Sequence, residues 1–134
     1  MSGVRRMVQD VGGLMRAGRA GDRDLEMVVP TIITADAADT LSVTKLAAGL
    51  LAYTGLTAGR NLTVDTAANI LAAFPNMDIG DSVSVTVGIS TAFALTLVTA
   101  AGITLKGKAT VAASSRATLY FIKTSATTMD CLCV

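Results

Sequence analysis

The stretch 82-SVSVTVGISTAFALTLVTAAGITL-105 carries no charged side chain over twenty-four residues, yet eight of its positions are Ser or Thr. Within it Ser82, Ser84 and Thr86 alternate with Val83, Val85 and Val87. A period of two places a hydroxyl face and a valine face on opposite sides of one strand. The run is long enough to span a bilayer, but its alternating polar positions are not those of a lipid-spanning helix, which is apolar all round. The stretch is therefore expected to be β-structure in a chain without a membrane role.

Outward from there the punctuation continues. Strands are expected near 93–99, 103–105, 109–112, 116–123 and 128–134, with Gly88, Gly102 and Gly107 between them. Short strands at intervals of about eight to twelve residues are the pattern of a sandwich or barrel. Upstream, Leu25 to Thr34 is a strand candidate in which Pro30 suggests an edge or a bulge. Leu41 to Gly49 reads as a short helix, Leu50 to Thr54 and Asn61 to Val64 as strands. Asp65 or Thr66 can cap a helix through Ala67, Ile70, Leu71 and Phe74 that Pro75 ends. The expected architecture is mainly β: a jelly-roll-like β-sandwich with one or two short helices, over residues 25–134. Five aromatic residues in the whole chain leave its core to Val, Leu, Ile and Ala.

The first 24 residues are a different material. Of the twenty-one charged side chains nine lie in the first thirty positions, and residues 1–21 set Arg5, Arg6, Arg16 and Arg19 against Asp10 alone. Val4, Met7, Val8, Val11, Leu14 and Met15 recur at helical spacing, an apolar stripe on a segment that Gly12 and Gly13 weaken. An extended or helical N-terminal arm that orders on a protein surface is expected. The arginines alone suit phosphates, but the arm has no aromatic residue and the rest of the chain is electrically neutral, so no nucleic-acid partner is expected. The same interruptions argue against a secretory leader.

Residues that could carry chemistry are few. There is no histidine, so neither a Ser-His-Asp arrangement nor a zinc site with only Cys131 and Cys133 can be assembled. The two cysteines stand at i, i+2 in a strand and are expected as buried reduced thiols. Asp36 with Asp39, and Asp78 with Asp81, have the three-residue spacing of a carboxylate pair for calcium or acid–base work, but turn and cap roles explain them better. No cofactor, metal or enzymatic activity is expected. Met129, Cys131 and Cys133 face one way and Leu132 and Val134 the other, so the last strand is expected inside a sheet or against a sister subunit.

The order "ITADAADTLSVTKLAAGLLAYT" (33–54), "GRNLTVDTAANILAAFPNMDIGDSVSVTVGIS" (59–90) and "FALTLVTAAGITLKGKATVAASSRATLYFIKT" (93–124) resembles small β-sandwich capsid decoration, or cement, proteins of tailed bacteriophages. The similar features are a short helix feeding a strand, the "TA-A-ILAAFP" helix ahead of "IGDS", and a "GITLKG-ATVAA" hairpin. The resemblance implies a structural protein on the outer capsid surface of a virion, made in the host cytoplasm. Its partner would be the major capsid protein, and it would associate with itself as a dimer or trimer. Val4, Arg5, Arg6, Met7, Val8, Val11, Leu14, Met15, Arg16 and Arg19 would then be the capsid-binding residues. Related sandwiches also occur in tails and fibres, and the alternative is a receptor-recognition module using Tyr53, Tyr120 or Phe93.

Overall fold

A computed structural model describes residues 29–134, in which ten strands and two short helices pack as two sheets. In chain order these are β1 (Thr31–Ile33), β2 (Asp39–Leu41), α1 (Val43–Ala48), β3 (Leu50–Tyr53), β4 (Arg60–Val64), α2 (Ala67–Ala73), β5 (Ser82–Ile89), β6 (Leu95–Val98), β7 (Ile103–Gly107), β8 (Thr110–Val111), β9 (Arg116–Lys123) and β10 (Met129–Cys133). Six strands form one sheet in the order β1-β3-β5-β9-β10-β7, and four form the other in the order β2-β4-β6-β8. The mainly β, two-layer expectation holds. The expected arm, with every capsid-binding residue named above, lies outside the described residues, as does the boundary at 24/25.

Up to β8 the chain changes sheet with every strand. Parallel neighbours need a crossover, and here each crossover consists of a strand in the opposite sheet, followed twice by a short helix. So β1, β3 and β5 run parallel in one layer while β2, β4 and β6 run parallel in the other. Successive turns repeat one local plan. Thr40 and Leu41 stand beside Thr63 and Val64; Ser42 and Thr66 then cap the helices by accepting from Lys45 N at 3.4 Å and Asn69 N at 3.2 Å. Each helix drops one large apolar side chain into the core, Leu46 and Ile70. Gly49 ends α1 in the left-handed region at φ 82°, where a side chain would be strained. Pro75 follows α2 as expected.

The remainder closes the six-stranded sheet differently. β9 pairs antiparallel with β5 on one side and β10 on the other, and β7 lies parallel to β10. The last strand is therefore an interior strand, as its two-sided apolarity predicts. A jelly roll is built from antiparallel strands, whereas five of the eight pairings here are parallel; the pairings lend no support to that connectivity. The segment resembling a "GITLKG-ATVAA" hairpin is also divided. β7 belongs to the six-stranded sheet and β8 to the four-stranded one, with Gly107 at φ 77° turning the chain between them.

One apolar core lies between the layers. Val85, Val87 and Ile89 of β5, Leu119 and Phe121 of β9, and Met129, Cys131 and Cys133 of β10 face Leu62, Val64, Leu95, Leu97 and Val111 from the other sheet. Burying each large side chain contributes about 1.5–3 kcal/mol. The valine face read from the sequence is thus the core face, and Ser82, Ser84 and Thr86 are on the other.

Candidate functional site

The outward face of the six-stranded sheet is the broadest feature available to a partner. Register sets its rows. Ile32, Ala52, Gly88 and Arg116 stand abreast on β1, β3, β5 and β9. A second row holds Leu50, Thr86 and Thr118, with Val134 N donating to Thr118 O at 3.0 Å. A third runs Ser84, Tyr120, Leu132 and Lys106. A fourth runs Ser82, Ile122, Asp130 and Thr104.

These rows hold three charged side chains. Ile32 is 61% exposed, Val134 54% and Tyr120 37%, while Leu50, Ile122 and Leu132 are half-buried among hydroxyls. Thr86 and Thr118 bond across the strands at 3.2 Å between hydroxyl oxygens. Apolar and aromatic side chains mixed with neutral polar ones, and few charges, is the composition of protein contact surfaces.

The carboxylates serve the fold. Asp36 accepts from Thr57 N at 3.0 Å, from the Thr57 hydroxyl, and from Arg60 Nε and Nη2 at 3.1 and 3.0 Å. The Thr57 bonds, with help from Arg60, hold its pKa down at about 2. Asp39 receives Lys45 Nζ at 2.7 Å on both oxygens and the Tyr53 hydroxyl at 2.7 Å. Burial pushes Asp39 up, but the bonds from Lys45 and Tyr53 outweigh it and its pKa is lowered. Tyr53 is raised by burial and by the Asp39 charge. Asp36 and Asp39 therefore work apart, each clamping neighbouring elements through a cation. This is an ion-pair role, not the turn or cap role expected for them. Asp81 does fill a turn role, accepting from Asp78 N at 2.9 Å.

Both cysteines are buried free thiols, and burial, then the neighbouring Cys133, pushes Cys131 up to about 12. Among the described residues no three His, Cys, Asp or Glu side chains gather as metal ligands. No helix there is long and apolar enough to cross a membrane. Of the three aromatics named for a receptor contact, Tyr53 is core, Tyr120 lies on the outward face, and Phe93 sits 40% exposed in the β5–β6 loop.

Two open recesses lie on the surface of the described residues. One of about 470 Å³ lies beyond α2 among Phe74, Pro75, Met77, Asp81 and Ser82. The other, about 360 Å³, lies at the Ala52–Gly88–Arg116 end of the outward face. Sequence reading missed the second because it joins residues of three strands, and the first because the shape of one segment, from the end of α2 to the start of β5, is not written in its residue pattern. No family model matches the chain, and no curated protein or solved structure shows significant similarity to it.

Proposed function

We propose that this chain is a structural virion protein that binds the outside of a tailed-phage capsid and cements neighbouring major capsid subunits. The observation that carries the reading is the broad, sparsely charged outward face of the six-stranded sheet, with Ile32, Tyr120 and Val134 exposed on it. The motif order over residues 31–125 and the mainly β body agree with it. A decoration protein acts by adhesion: subunits it bridges separate only when its own contacts also break.

In this reading residues 1–24 are the docking arm. Val4, Met7, Val8, Val11, Leu14 and Met15 bury against the shell, and Arg5, Arg6, Arg16 and Arg19 meet its carboxylates. The sandwich stays outside as a cap and pairs with sister copies as a dimer or trimer. The role requires a rigid two-layer body and does not depend on jelly-roll connectivity.

Co-sedimentation with empty capsids tests the proposal. The full chain is expected to pellet with capsids, and a chain lacking residues 1–24 to remain folded in the supernatant. Rising salt should weaken binding only in part, because exposed charge pairs are screened and apolar burial is not. Exposed Tyr120 and Phe93 favour the tail or fibre module as the second reading. Retained binding to host cells by the shortened chain, with no capsid binding by either form, would establish that reading instead.

A further inference from the structure

We infer that the recess at the Ala52–Gly88–Arg116 end of the outward face is a seat for an acidic peptide segment of a partner protein, with Arg116 receiving its carboxylate. The inference deepens the proposed function by naming a chemistry on the partner, and it rests on that reading only for who the partner is.

Gly88 is the first indication. It lies inside an eight-residue strand, where glycine is less favourable than alanine by roughly 0.5–1 kcal/mol. Nothing in the backbone calls for it, since its φ is not among the positive ones. Nothing in the packing does either: a Cβ there would meet only Leu51 O, at an ordinary 3.7 Å. What the missing side chain achieves is an open floor, with Ala52 beside it, in a recess of about 360 Å³. A glycine inside a strand marks a bulge, a bend or a close approach by another chain or a ligand, and the uninterrupted β5–β9 register through Gly88 shows no bulge.

The rim supplies complementary groups. Arg116 lies next to Gly88 across the β5–β9 pairing, is exposed, and has no carboxylate within 4 Å among the described residues. The other side of the rim is the loop before β9, held by Ser114, a non-glycine residue at φ 53°. Ser114 N and Oγ both donate to Thr91 O, at 2.9 and 3.1 Å, and Ser115 Oγ donates to Ala112 O at 2.8 Å. With their protons committed, these two hydroxyl oxygens are left as acceptors. They suit the N–H groups of a peptide and not the bare oxygens of an inorganic anion. A guanidinium donor, two acceptors and a shallow apolar floor together match a peptide with a carboxylate on a short aliphatic stem. Ile32, beyond Ala52 in the same row, extends the floor for a flanking apolar residue.

The test is an amide-shift titration of the ¹⁵N-labelled full chain with N-acetyl-Ala-Glu-Ala-amide, its Gln counterpart, and inorganic phosphate. Saturating shifts centred on Gly88, Ser114 and Arg116 are expected with the Glu peptide. Affinity should be weaker by about tenfold with the Gln peptide or in the Arg116→Gln chain, the loss of one charge-assisted bond. Gly88→Val, which fills the floor, should abolish the shifts; Arg116→Gln is exposed and keeps the test open if that strand variant fails to fold. Absent saturation, equal response to Glu and Gln peptides, or an equal response to phosphate would each overturn the inference. A chain that binds the Glu peptide and no capsid keeps the seat and loses the cement role; one that binds capsids but no peptide does the reverse.

Discussion

Residues 31–73 and residues 82–133 reach the same core by different means. In the first region every strand has three to five residues and every pairing within it is parallel. Both ion pairs found among the described residues lie here, Asp36 with Arg60 and Asp39 with Lys45. In the second region β5 and β9 have eight residues each, pair antiparallel along seven positions, and bury Val85, Val87, Leu119 and Phe121. Short parallel strands expose little apolar surface to one another, so side-chain clamps between turns supplement them. The long alternating strands rely on their ladder and on burial, with the neutral Thr86–Thr118 bond and no ion pair between them among the described residues.

The largest expected effect falls in the second region. Phe121 is fully buried, and Phe121→Ala should lower stability by about 3–5 kcal/mol, read from the shift in urea midpoint. A loss below about 1 kcal/mol would mean that the core relaxes around the gap, and the contrast between the regions would fail.

A smaller loss is expected from the wound region. Asp39→Ala leaves the Tyr53 hydroxyl buried without its acceptor and should cost about 1–3 kcal/mol. Adding Tyr53→Phe should return part of that loss, because no buried hydroxyl then lacks a partner. A double variant no more stable than Asp39→Ala would show that the clamp acts through Lys45 instead.

The smallest effect is a pH dependence. Asp36 is held at about 2 when folded, against about 3.9 for an unfolded aspartate. Its contribution is present in full above the unfolded value and is lost as pH falls through the folded one. Urea unfolding between these values should therefore show an acid-side decline that Asp36→Asn reduces. An identical acid profile in the variant would remove Asp36 from the account.

The sequence was legible where the physics is local. Alternation over β5 and β9 told which face is buried, two-sided apolarity placed β10 inside a sheet, and Thr66 with Pro75 bounded α2. β2 escaped notice because three residues, Asp39 to Leu41, carry too little periodicity. Parallel winding escaped because a period of two encodes the face of a strand and not its partner. The supposed hairpin at 102–113 failed for the same reason: Gly107 looks like a turn in either topology. The outward face and its Arg116 recess depend on strand order, which brings Ile32 beside Ala52 and Gly88 beside Arg116 from positions far apart in the chain.

One consequence concerns mechanical load. Any pull arriving from the residues ahead of Val29 enters the fold through β1, a three-residue edge strand matched only to Leu51, Ala52 and Tyr53 of β3. Those few bonds lie across the strands, so a pull along β1 loads them together in shear, but so short a strand yields before the eight-residue ladder behind it. A sandwich tethered by that end would give way first by shedding its outermost turn, lengthening the tether while the body stays intact, in the manner of a sacrificial fuse.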